Sequence, residues 1–163
     1  MEYVWQFTNK RKLTKKEFIK YLERKIFKTI RQHSLLPKDR NIKMKKSEDI
    51  RFKVLYKILS QKFKITLSKE ENTSIKNLSE IAEIALQNII NGKVKIPSPK
   101  EKNISFPLYY VSDKEIDLYA KLCSLKGKTR KPNKKVRSLM ERFMEKNPDL
   151  ELNIIKSLKT PKK

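Results

Sequence analysis

The sequence predicts an α/β chain reduced to mostly helix, with about six helices and a few short strands. Apolar residues recur at helical spacing in six separate segments, whereas alternation of apolar and polar residues is confined to three stretches of three to five residues. A length of 163 residues bounds the chain to one domain with one modest core. Hydrophobic residues make up 37% and charged residues 36%, against about 45–50% and about 25% in ordinary globular chains. The core is expected to be thin, or completed by a partner.

Residues 3–7 read as a short strand, followed by a basic polar turn over 8–12. Thr14 opens the first helix, because Glu17 three residues on completes a capping box in which each side chain satisfies the other's backbone N–H. Phe18, Leu22, Ile26 and Ile30 form its apolar stripe, which ends near His33. That lone histidine at a helix end reads as structural or solvated. Pro37 and Asp39 mark a loop, Ile42 and Met44 a brief strand, and Phe52, Leu55, Ile58 and Leu59 one side of a helix over about 49–62. Residues 64–67 read as another strand. The third helix, about 78–91, differs in kind, since Ile81, Ala82, Ile84, Ala85, Leu86, Ile89 and Ile90 leave only a narrow polar strip of Glu80, Glu83, Gln87 and Asn91. Residues 64–92 hold three Lys and four Glu, the least basic part of the chain. Ile81, Ile84, Ala85, Leu86 and Ile89 are therefore the candidate partner interface, with burial in the chain's own core as the alternative. Gly92 suits a left-handed helix end, and residues 93–107, with three prolines, read as an extended connector. Ser112 and Glu115 make a second capping box, with Val111 and Ile116 as its hydrophobic staple. Two further helices, about 133–146 and 152–158, precede a tail ending in Lys162 and Lys163.

Forty-one Lys and Arg against eighteen Asp and Glu give a formal charge of +23, a surplus that points to a polyanionic partner, nucleic acid first and an anionic membrane surface second. The residues that usually do chemistry are scarce: two glycines, one histidine and one cysteine. Glycine builds phosphate loops, and clusters of Cys, His and carboxylates hold metals, so the composition argues for binding before catalysis and for no metal site. Cys123 falls on an apolar helix face and reads as a small buried hydrophobe. No run of about 18 apolar residues is present and the N-terminus does not resemble a secretory signal, so a cytoplasmic protein without a membrane partner is expected.

The densest positive stretch is 126–137, where Lys126, Lys128, Arg130, Lys131, Lys134, Lys135 and Arg137 occupy seven of twelve positions without an intervening acid. Together with Arg142 on the following helix, they are the candidate nucleic-acid-binding residues, suited to contact phosphates around a helix start. Lys10, Arg11, Lys12, Lys15 and Lys16 form a second cluster, and Lys43, Lys45 and Lys46 a third. No helix-turn-helix, zinc-finger or RNP aromatic pattern accompanies them.

The order of segments resembles the tRNA 2-thiouridine synthetases of the PP-loop (ATP pyrophosphatase) superfamily over nearly the whole chain. The resemblance runs through Glu23, Arg24 and Lys25 to Leu36 with Asp39 and Arg40, then the apolar helix of 54–60. It continues through Asn77, Leu78, Ala82, Leu86, Asn88 and Gly92. Residues 107–112 with Lys114, Glu115, Ile116, Leu118, Tyr119 and Ala120 follow, and 137–143 with Asn147, Pro148 and 153–157 close it. The family's diagnostic parts are replaced. Leu13 to Phe18 stand where its second Cys-x-x-Cys precedes the first helix, and Ser47-Glu48-Asp49-Ile50-Arg51-Phe52 stand where its ATP-binding S-G-G-x-D-S is found. A cysteine-bearing stretch after Phe63 has no counterpart, Lys76 and Ser79-Glu80 replace a His and paired Asp, and Cys123 lies too early to match the family's C-terminal cysteine.

The resemblance implies a truncated PP-loop-like domain with a few short parallel strands. It divides the chain into a decayed zinc-ribbon-like segment (1–16), the truncated domain (17–111) and a basic helical tRNA-binding region (112–163). It further implies a pseudo-enzyme: a non-catalytic subunit without its own cofactor, bound to tRNA and to a catalytic tRNA thiouridine synthetase homologue that carries the ATP and iron–sulfur cluster. The alternative is a stand-alone RNA-binding or ribosome-associated protein.

Overall fold

A computed structural model of the chain describes residues 1–158, so the expected tail through Lys162 and Lys163 lies outside the described residues. The chain begins with an antiparallel pair, β1 (Tyr3–Gln6) and β2 (Lys12–Thr14), with Trp5 opposite Leu13. The sequence placed only the first of these strands. The Phe7 N–H donates to the Arg11 carbonyl at 2.8 Å and Lys10 takes a left-handed φ of 68°, which folds the polar turn back tightly enough to pair. Pairing carries Leu13 into the core and sets Trp5 5.3 Å from Phe18.

Helix α1 (Lys15–Gln32) starts at the expected cap, with the Thr14 N–H donating to Glu17 at 2.8 Å. It buries Phe18, Leu22, Ile26, Thr29 and Ile30. His33 caps its end and lies 3.2 Å from the Tyr110 hydroxyl.

Strand β3 (Asn41–Met44), helix α2 (Ile50–Leu59) and strand β4 (Lys64–Leu67) form a β-α-β unit in which the two strands pair in parallel, from Asn41 with Lys64 to Met44 with Leu67. Ile42 and Met44 point the same way into the core. The other edge of β3 is covered, since the Asn72 and Thr73 N–H groups donate to the Lys43 carbonyl at 3.0 and 3.2 Å. The outer edge of β4 has no backbone partner among the described residues, and Leu67 on it is exposed.

Helix α3 (Leu78–Ile90) is capped by Asn77 and ends at Gly92, whose φ of 76° fits its expected role. The connector that follows contains a small antiparallel hairpin, β5 (Lys100–Glu101) with β6 (Ile104–Ser105), that extended-chain reasoning did not supply. Helix α4 (Asp113–Leu122) carries the second capping box, with Ser112 and Glu115 joined at 3.2 and 3.3 Å and the staple residues Val111 and Ile116 buried. Helices α5 (Lys134–Met144) and α6 (Leu150–Leu158) complete the described chain.

The main core lies between α1, α2, α4 and β3. A second gathers Leu78, Ile81, Ala85, Phe106, Tyr109 and Ile155, and a third joins Ala82 to Val136 and Met140. These two cover α3. Ile81 and Ala85, read as partner-facing, are fully buried inside the chain because α6 with Phe106 and Tyr109 packs over them, while α5 covers Ala82. Ile84 and Leu86 are half-buried, and only Ile89, at 40% exposure, and Ile90 remain open. Any partner surface on α3 is thus confined to its last turns.

Candidate nucleic-acid interface

In open α/β folds, ligands collect beyond the carboxyl ends of parallel strands, and here that place is the loop from β3 to α2. Asp49 caps α2 by accepting from the Arg51 N–H at 2.8 Å. The Arg51 guanidinium then folds back onto the same loop, donating to Asp49 at 2.8 Å, to Glu80 at 2.5 Å and to Asn77 at 3.3 Å. Burial opposes its charge, but the Asp49 and Glu80 carboxylates outweigh it and hold the guanidinium above its ordinary pKa.

The backbone at the start of α2 is occupied by the chain itself. Lys128 donates its N–H to the Glu48 carbonyl at 2.7 Å and accepts from the Ile50 N–H at 2.8 Å, so residues 126–128 lie across the helix start as a strap. Gly127 permits this approach: a Cβ there would come within 2.9 Å of the Ile50 Cα and 3.0 Å of the Glu48 carbonyl oxygen. A helix start offers free N–H groups to an anion only where they are not already paired. With Ile50 paired and Glu48 and Asp49 adding negative charge, this loop does not fit a nucleotide triphosphate.

The strap continues into a buried ion cluster. Glu83 of α3, 3% exposed, is gripped by Arg130 and by Arg137 at 2.5 Å, and also accepts from the Asn133 N–H at 2.8 Å. Arg130 also reaches Asp113 at 2.6 Å, and Arg137 reaches Glu151 at 2.7 Å. Burial alone would raise the Glu83 and Asp113 pKa values, but the arginines outweigh it and hold both carboxyls below their usual range. Burial likewise disfavours the Arg130 charge, and its hydrogen bonds to Glu83 and Asp113 raise its pKa in spite of it. The expectation that Arg130 and Arg137 face phosphate is therefore corrected. Their guanidiniums turn inward and fasten the basic segment to α3, α4 and α6.

The other six candidates, Lys126, Lys128, Lys131, Lys134, Lys135 and Arg142, are exposed, with no carboxylate in ion-pair range among the described residues. Lys126 and Lys128 lie in the strap on either side of Gly127, Lys134 and Lys135 begin α5 behind its Asn133 cap, and Arg142 lies two turns on. In the second cluster Lys10, Arg11, Lys12, Lys15 and Lys16 are all exposed; in the third, Lys45 and Lys46 are exposed while Lys43 is held in β3.

Sequence reasoning missed a further row on α1. Lys20, Arg24 and Lys28 recur every fourth residue and border a cleft of about 440 Å³ lined also by Arg11, Leu13, Glu17, Tyr21 and Lys25. The signal was the four-residue spacing, hidden because these cations are interleaved with the apolar stripe instead of forming a run.

Among the described residues no group of three or more His, Cys, Asp or Glu is arranged to hold a metal ion. Cys123 sits at the end of α4, half-buried against the main core.

No protein-family model matches the chain. No curated protein matches it. Among solved structures it is similar to the U34-tRNA thiolase NcsA from Methanococcus maripaludis, a structure determined with its [4Fe-4S] cluster. The match has a TM-score of 0.70 at 14% identity and covers 96% of this chain and 83% of that one. At that identity the likeness is one of fold, and the chain has a reduced α/β, PP-loop-like fold shared with a tRNA thiolase.

Proposed function

We propose that the chain is a non-catalytic cytoplasmic subunit that holds tRNA beside a catalytic thiouridine synthetase homologue during 2-thiolation of the wobble uridine. The observation that carries this reading is the strap across the start of α2, where the chain's own backbone and the Arg51 side chain fill the loop that the family's sequence pattern devotes to ATP. The likeness of fold to a U34-tRNA thiolase supports the tRNA assignment. In this role Lys126, Lys128, Lys131, Lys134, Lys135 and Arg142 contact tRNA phosphates, displacing counterions and giving affinity and orientation without reading bases.

Native mass measurement of the chain with and without the catalytic homologue tests the assignment, with a stoichiometric complex expected. Calorimetry with ATP and magnesium on the isolated chain is expected to show no heat; a saturable nucleotide site would overturn the non-catalytic part.

A second reading, a stand-alone RNA-binding protein, is favoured by the burial of Ile81 and Ala85 under α6 and of Ala82 under α5, which leaves little of α3 for a partner. It predicts no complex with the homologue and undiminished RNA binding by the chain alone.

A further inference from the structure

The α1 cleft is separate in sequence from the strap and uses none of its residues. Its floor includes Leu13, 3% exposed, and its walls carry five cations against one acid. Two of these charged groups are committed: Lys25 bonds Glu115 at 3.0 Å, and Glu17 accepts from the Thr14 N–H. Arg11, Lys20, Arg24 and Lys28 have no carboxylate in ion-pair range among the described residues. Tyr21 is held in place: its hydroxyl donates to Glu115 at 3.1 Å and accepts from Lys25 at 3.2 Å, its ring stands edge-on to Phe7 at 5.2 Å and tilted against Phe18 at 5.9 Å, and the Lys25 ammonium lies 5.4 Å over it, a cation at the rim where a base would pack.

Lys20, Arg24 and Lys28 follow one another at about 6 Å along the helix, four residues at about 1.5 Å each, a spacing close to that of successive phosphates on one strand. Arg31 continues the row three residues further. A row of phosphate-spaced cations beside an ordered aromatic is how proteins hold single-stranded nucleic acid. A cleft of about 440 Å³ has room for a nucleotide. The recessed position of Leu13 argues against a membrane surface, which needs its apolar residues to protrude.

We infer that this cleft is a subsite for single-stranded RNA, with successive phosphates on Lys20, Arg24 and Lys28 and one unstacked base against Tyr21. The inference rests on the reading of the chain as an RNA binder and adds a second contact point to it. The site would engage an unpaired segment while the strap and α5 hold backbone elsewhere.

The test uses the full chain and a short uridine oligomer carrying 5-iodouridine. Photo-crosslinking followed by peptide mapping is expected to place the adduct on Tyr21. The K20A/R24A/K28A variant is expected to bind the oligomer on the order of tenfold more weakly and to flatten the slope of log affinity against log salt by about 2, at about 0.7 per single-strand phosphate. Restoring charge as Arg24 with K20R/K28R should return both values, which separates lost contacts from misfolding, and Tyr21→Leu should remove the adduct. A K126A/K128A/K131A/K134A variant tests the underlying reading separately. If that variant loses tRNA while the α1 variant keeps full affinity and slope, the α1 subsite alone is overturned. Adducts confined to residues outside the cleft, or tighter binding to phosphatidylserine vesicles than to the oligomer, also overturn it. If neither variant changes RNA binding, both readings fail.

Discussion

Glu83 is nearly out of water yet ionised, because two guanidiniums and a backbone N–H replace the solvent it has lost. Removing its charge leaves Arg130 with Asp113 alone and Arg137 with Glu151 alone, one carboxylate each where there were two. Glu83→Gln is expected to cost about 3 kcal/mol, read as a fall in the urea midpoint at neutral pH. The folded pKa values of Glu83 and Asp113 lie below their unfolded ones, so in the acid range the unfolded chain binds more protons and stability rises with pH. Their contribution is complete above the ordinary carboxylate values of about 4 and is lost as pH falls through the lowered ones. Comparing urea midpoints of the native chain and Glu83→Gln, the gap should hold constant down to about pH 5 and shrink below about pH 4. A gap independent of acid would contradict this account of the cluster.

At the level of elements, the strap depends on the missing side chain at position 127. Gly127→Ala forces a Cβ against the Ile50 backbone and is expected to cost about 2 kcal/mol, or roughly 6 °C in Tm, in thermal denaturation. Because Glu48 and Asp49 remain, lifting the strap this way should not create affinity for ATP, which calorimetry on the variant checks. The helices were legible in the sequence because their signals are local: Thr14 with Glu17, Ser112 with Glu115 and Gly92 are each read within a few residues and sit where expected. The partners of Arg130 and Arg137 were not legible. Glu83 lies 47 and 54 residues away, and a run of basic residues looks the same whether its side chains face water or a distant carboxylate. Strand β2 was hidden for a related reason, since three residues make a strand only where another strand is already waiting.

Across the whole molecule, a charge of +23 makes salt the main control on binding. Log affinity for tRNA should fall linearly with log salt, and replacing Lys126, Lys128, Lys131 and Lys134 with Ala should flatten that slope by about 3 to 4; filter-binding titrations at several salt concentrations measure it, and a flat native slope would remove electrostatics as the source of affinity. The open rim of β4 has a different relation to the same ions. Among the described residues its outer N–H and carbonyl groups are unpaired, and with exposed Leu67 they form a template for strand addition, which the charges of Lys62, Lys64 and Lys69 are expected to oppose in a second copy. Concentrated salt that strips RNA also disarms this guard, so washing the protein clean should drive it to self-associate. Light scattering in about 1 M salt, where repulsion reaches only about 3 Å, should register oligomers that Leu67→Lys abolishes.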